Sequence, residues 1–233
     1  MKPEFIYFDL DNTLLDHTSA EKEAQTAIYH TYPELQTVPL DEWLQAYKML
    51  NHRLWIQYQK GEIDRHLLQK TRFKGSMDQL GIDSSRSEEI GANYMMQYRN
   101  YWDWLDGARD ALVSIRKQYP VGIITNGFSE TQQKKIEFMG LKDFCDIFII
   151  SEEVGVMKPH QKVFDIATEK AGVDRSEILY VGDSYSSDIV GGRQAGWKTA
   201  WYTAFSNPAD QNGKAEADFS FEEFPDLVTY LTA

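Results

Sequence analysis

Asp9 and Asp11 stand on either side of Leu10, directly after the apolar run Phe5-Ile6-Tyr7-Phe8. Asp183 and Asp188 follow a second such run, Ile178-Leu179-Tyr180-Val181. Thr125, Asn126 and Gly127 follow a third, Val121-Gly122-Ile123-Ile124, and Lys158 lies a short stretch beyond a fourth, Asp146 to Ile150. Carboxylates gathered in one cleft repel each other, so they share protons or bind a cation. Their oxygens are hard ligands suited to magnesium, which also takes phosphate oxygens. A lysine offsets more of the charge, and a threonine hydroxyl with the amides of a tight turn can donate to an anion's oxygens. Acids, a lysine and such donors together point to phosphoryl chemistry. A calcium loop is disfavoured, because Leu14 falls where that loop requires glycine.

The elements that would bring these residues together are readable. The apolar runs are continuous rather than alternating, which is the pattern of strands covered on both faces of a parallel sheet. A fifth run is Thr199-Ala200-Trp201-Tyr202. Segments with helical spacing lie between them and end in glycines suited to helix C-caps: Ile136 and Met139 before Gly140, and Val163, Ile166, Ala167 and Ala171 before Gly172. Strand and helix alternate as in a doubly wound α/β fold. In such sheets, sites form beyond the carboxyl ends of the strands. Asp9, Asp11, Thr125, Asn126, Gly127, Lys158, Asp183 and Asp188 should therefore converge on one edge.

Residues 18–105 read differently. Trp43, Tyr47, Leu50 and Leu54 mark one face of an amphipathic helix, a second helical stretch surrounds Leu67 and Leu68, and a third carries Ile90, Tyr94, Met95 and Tyr98. This is expected to be a helical insertion, with residues 1–17 and 106–233 forming the α/β part. Ser206 to Asp218 reads as a surface loop, and Phe221 to Leu231 as a final helix.

The 233 residues are 42% hydrophobic, enough for a buried core and too many for a disordered chain. A net charge of −12 argues against nucleic-acid polymers and anionic membranes as partners, since both need a positive surface. Cys145 is the only cysteine, which excludes an intrachain disulfide; among Phe144, Ile147 and Phe148 it reads as a packing thiol. The short run before Asp9 does not fit a signal segment, so the expected setting is cytoplasmic.

The order and spacing resemble the haloacid dehalogenase superfamily. Its four motifs match Asp9-Leu10-Asp11-Asn12-Thr13, then Thr125-Asn126-Gly127, then Lys158-Pro159, then Gly182-Asp183 through Asp188. The helical insertion resembles that family's C1-type cap, which closes over the site and excludes water. The resemblance implies a magnesium-dependent phosphatase. Asp9 would be the nucleophile that forms an aspartyl-phosphate, and Asp11 the general acid and then base. Asp9, Asp11 through its backbone carbonyl, Asp183 and Asp188 would hold Mg2+, with Asp188 either a ligand or a support for one. Thr125, Asn126 and Gly127 would hold phosphoryl oxygens, and Lys158 would fix Asp9 and the phosphate.

The resemblance is strongest to the family's 5′-nucleotidases, which implies small phosphate monoesters, nucleoside 5′-monophosphates first among them, and a monomer or small homo-oligomer. The alternatives are a 2-haloacid dehalogenase, a sugar-phosphate phosphatase or phosphomutase of the same fold, and a phospho-accepting signalling module. Dehalogenases attack carbon and typically lack an acid at the position of Asp11. Simpler readings compete locally. Asp188 could merely cap the helix after it. The aromatic cluster Tyr98, Tyr101, Trp102 and Trp104 reads as packing rather than as a platform for a base.

Overall fold

The structure, a computed structural model, describes residues 2–206 and 216–232. Six strands form one parallel sheet in the order β3-β2-β1-β4-β5-β6. They are β1 (Phe5–Phe8), β2 (Val121–Thr125), β3 (Ile147–Ile150), β4 (Ile178–Gly182), β5 (Lys198–Tyr202) and β6 (Phe219–Phe221). Every residue of β1, β2 and β4 is buried, as expected for strands covered on both faces. β1 is central: Ile6 registers with Val121 of β2 on one side and Leu179 of β4 on the other. The chain order reverses across β1 and β4, so their carboxyl ends flank a topological switch point, where such sheets carry their sites.

The chain divides into two compact units, Met1–Asp16 with Asp103–Ala233, and His17–Trp102. In the first, α5 (Ala108–Arg116), α6 (Ser129–Phe138), α7 (Ser151–Val154), α8 (Gln161–Ala171), α9 (Gly191–Gln194) and α10 (Phe224–Thr232) connect and cover the strands. Gly172 ends α8 in the left-handed conformation, as its C-cap role requires. Tyr7, Phe164, Tyr180 and Trp197 form part of the core on one face of the sheet.

The second unit is helical: α1 (His17–Thr31), α2 (Leu40–Gln59), α3 (Arg65–Gln79) and α4 (Ser87–Asn100). α1 packs against α4, and α2 against α3. Its centre is aromatic, with ring centroids of Tyr47–Phe73 at 5.0 Å and Phe73–Tyr94 at 5.3 Å. Tyr98 belongs to this packing: it stacks on Tyr94 at 5.7 Å and meets Trp102 edge-on at 5.6 Å. No helix among the described residues is long and apolar enough to cross a membrane.

One expectation needs correction. The end of the chain is not one helix from Phe221. Phe221 is the last residue of β6, paired with Tyr202 of β5, and α10 begins only at Phe224. A strand of three residues is too short to leave a periodic signal. Helix α1 lies in the segment expected to be helical, although no apolar spacing marked it: its buried positions are the small or polar Ala20, Ala24 and Gln25 as well as Ile28. The loop expected from Ser206 lies largely outside the described residues. Cys145 is buried, and burial pushes its thiol up to about 12, in keeping with a packing role.

Candidate active site

The site is built on strand ends. Asp9 directly follows β1, and its backbone N–H donates to the Val181 carbonyl on β4 at 2.8 Å, which fixes where its side chain emerges. Asp183 directly follows β4, and the Trp201 indole donates to its carbonyl at 2.8 Å. Asp188 sits in a π-helical turn, Tyr185–Val190, a form often found at functional sites. The Ser184 N–H donates to its carboxylate at 3.0 Å and the Ser187 hydroxyl at 3.1 Å. Glycine is required at 182, because a Cβ there would collide with the Asp188 carboxylate.

Asp9, Asp183 and Asp188 each present a carboxylate oxygen within 4.8 Å of the others. The Thr13 hydroxyl lies between two of them, 3.2 Å from Asp9 and 3.4 Å from Asp183. Lys158, 1% exposed, reaches in beneath. Its ammonium lies 2.6 Å from Asp9 Oδ1 and 2.9 Å from Asp188 Oδ1, and donates to the Tyr180 hydroxyl at 2.6 Å and the Ile124 carbonyl at 3.1 Å. Asn126 aligns this lysine: its amide oxygen accepts from the Lys158 N–H at 2.9 Å, and its amide nitrogen donates to the Lys158 carbonyl at 3.1 Å.

The electrostatics follow from that census. Burial raises Asp9, Lys158 opposes it, and repulsion from Asp188 and Asp11 adds to it, for a value of about 7. Burial, then repulsion from Asp9 and Asp188, raise Asp183 well above the carboxylate range against the pull of Lys158. Burial alone would lower Lys158, but Asp188 and Asp9 outweigh it and hold the ammonium charged. One lysine facing three clustered acids leaves negative charge uncompensated. Three hard oxygen donors fit a divalent cation such as magnesium.

Asp11 behaves differently. Its carboxylate is not among the three that cluster. Asn12 takes a left-handed conformation at φ 60°, a geometry asparagine tolerates, and the chain turns at once. The Asp11 side chain meets α6, where Lys135 lies 2.6 Å from Oδ1 and Gln132 donates to Oδ2 at 2.9 Å. Thr125 ends β2 and is fully buried. The Gly127 N–H donates to the Ser151 hydroxyl at 3.2 Å.

All the residues expected to converge thus lie on the carboxyl edge of one sheet. The sequence reading missed Lys135, Gln132 and Tyr180. The first two are three apart on the helix that opens just after Thr125-Asn126-Gly127, so they share a face; that spacing was the available signal. Tyr180 was hidden inside an apolar run.

The profile of haloacid dehalogenase-like hydrolases matches residues 4–196. The chain belongs to this family. Among haloacid dehalogenase-like hydrolases, it is 40% identical over 205 residues to the pyrimidine 5′-nucleotidase YjjG of Escherichia coli, covering 88% of each chain. It is 29% identical to the pyrimidine 5′-nucleotidase PynA of Streptococcus pneumoniae, over 98% of this chain and 94% of that one. The crystal structure of the hydrolase YfnB of Bacillus subtilis, bound to magnesium, superposes with a TM-score of 0.87 at 26% identity over the full length of both chains.

Proposed function

We propose that this haloacid dehalogenase-like hydrolase is a phosphatase of nucleoside 5′-monophosphates, with pyrimidine nucleotides preferred. The observation that carries the reading is the pair of unlike carboxylates in Asp9-Leu10-Asp11. Asp9 is buried in the acid cluster and held by Lys158, while Asp11 is turned to a separate pair of donors. Ester cleavage needs both a nucleophile and an acid for the leaving oxygen. Halide displacement from carbon has no use for the second. The 40% identity to a pyrimidine 5′-nucleotidase supports the substrate class.

In this reading, an Asp9 oxygen attacks phosphorus and the P–O ester bond breaks. The departing nucleoside oxygen takes its proton from Asp11. Water then attacks the aspartyl-phosphate, gives its proton to Asp11, and the electrons of the P–O bond return to the Asp9 carboxylate. Lys158 would keep Asp9 oriented, and Thr125, with the turn at Asn126 and Gly127, would hold the phosphoryl oxygens. Asp9, Asp183 and Asp188, with the Asp11 backbone carbonyl, would hold magnesium, which when bound supplies positive charge against those oxygens.

The test is release of inorganic phosphate from UMP, dUMP, purine nucleotides and sugar phosphates, with magnesium and with a chelator. Magnesium-dependent release, fastest from pyrimidine nucleotides, is expected. Failure to release phosphate from any nucleotide, or halide release from chloroacetate, would overturn the reading.

A further inference from the structure

Lys135 and Gln132 are 2% and 3% exposed, although both are polar and lie on a surface-connecting helix. Burying them has one evident purpose in the structure. Lys135 Nζ and Gln132 Nε2 each take one oxygen of the Asp11 carboxylate, at 2.6 Å and 2.9 Å, across more than 120 residues of sequence. The same Gln132 nitrogen donates to the Asn126 carbonyl at 2.9 Å, tying Asp11 to the turn that carries Asn126 and Gly127. Gln132 Oε1 is buried without a hydrogen-bond partner. Rotating the amide would place that oxygen against a carboxylate and a carbonyl, so the unsatisfied oxygen is accepted to keep the nitrogen on Asp11. Gly127, at φ 142°, has no Cβ, and one there would collide with the Gln132 amide. The turn is therefore shaped to admit this contact.

We infer that Lys135 and Gln132 are positioning residues for the hydrolysis of the phosphoenzyme. The inference rests on the function proposed above. Each group donates to one oxygen, so together they fix the orientation of the Asp11 carboxyl and leave a further lone pair on each oxygen for the proton that it takes from water. The step they serve is the second one. The water oxygen bonds to phosphorus, the water proton passes to Asp11, and the bond between phosphorus and the Asp9 oxygen breaks with its electrons returning to Asp9. A side chain held at both oxygens has little freedom to leave the line of the water, and small displacements of a base are costly in rate.

The experiment uses Lys135→Met and, independently, Gln132→Met, with p-nitrophenyl phosphate, whose leaving group departs with little need of a proton. The first step is then insensitive to Asp11 and the second is not. The full enzyme with magnesium should show kcat lowered by about 10- to 100-fold. The value of kcat/KM should stay within about 3-fold, because it reports only steps through formation of the phosphoenzyme. A burst of p-nitrophenol, close to one per active site, should appear in the variants. Adding Lys135→Met to Asp11→Asn should cost nothing further, since both act through one carboxylate. Gln132→Glu should be slower than Gln132→Met.

Parallel loss of kcat and kcat/KM without a burst, full additivity with Asp11→Asn, or no change in either variant would overturn the inference. Should one variant fail to fold, the other decides. If the wild-type enzyme itself releases no phosphate, the proposed function fails, and this inference with it.

Discussion

The two aspartates of Asp9-Leu10-Asp11 are near neighbours in sequence and sit in opposite electrostatic situations. On the Asp9 side, three carboxylates cluster and one lysine pairs with two of them. On the Asp11 side, one carboxylate meets one lysine and one amide. The first arrangement is short of positive charge and suited to recruiting a cation. The second is balanced by the chain's own groups. Spacing along the chain says that both acids reach the same rim. It does not say which one the fold leaves unsatisfied, and in the proposed mechanism that difference separates a nucleophile in a metal-binding cluster from a proton-transfer group.

The largest expected effect tests the Asp9 side. Asp9→Asn should lower phosphate release by at least about 10⁴-fold, as removal of a nucleophile does, with the fold unchanged by circular dichroism. Near-normal turnover would end the distinction between the two acids. Asp11→Asn should cost about 10²- to 10⁴-fold, the range for a lost acid–base group. The two variants should part in a metal titration. Magnesium should raise the melting temperature of Asp11→Asn much as it does wild type, and far less that of Asp183→Asn. Equal responses would mean that the Asp11 carboxylate, and not only its backbone carbonyl, shares the cation site.

Stability sharpens the comparison further. Lys158→Met leaves Asp9 and Asp188 buried without their ammonium, and breaking such a pair costs about 3–5 kcal/mol in chemical denaturation without metal. A comparable loss, about 3–5 kcal/mol, is expected from Phe73→Ala at the aromatic centre of the helical unit, but from lost packing rather than lost charge. The Lys158 variant should therefore respond to magnesium and pH, and the Phe73 variant should not change in either response.

The smallest effect is in pH dependence. Asp9 in the folded protein is pushed up to about 7, first by burial, whereas an unfolded aspartate releases its proton near about 3.9. Between those values the folded state binds more protons than the unfolded state, so this group's contribution makes stability fall as pH rises. In the proposed mechanism, magnesium would replace those protons. The magnesium-induced rise in melting temperature should accordingly be larger at about pH 8 than at about pH 5, and at saturating metal, a hundredfold above Kd, it corresponds to about 2.7 kcal/mol. Asp9→Asn should flatten the difference. A magnesium effect independent of pH would show that the carboxylates are already ionised without it.

Much of this was legible beforehand because buried strands announce themselves. Phe5–Phe8, Val121–Thr125 and Ile178–Gly182 are buried at every position, so their apolar runs end where the backbone reaches the sheet edge, and the first polar residue afterwards marks the rim. Asp9, Thr125 and Asp183 could be placed on one edge by that rule alone. β6 and α1 escaped it, the one for shortness and the other because its buried face is made of Ala20, Ala24 and Gln25 as much as of Ile28.

The sequence by itself determined five of the six strands, the identity of the rim residues and the class of chemistry that acids, a lysine and a threonine can perform there. These are consequences of local composition and of the hydrophobic effect acting along each strand. Only the tertiary structure decided how charge is distributed among those groups. Lys158 serves Asp9 and Asp188, and Lys135 serves Asp11, because separate segments deliver the two lysines to different carboxylates. Burial strengthens whichever contacts the packing permits, and no spacing along the chain encodes that choice.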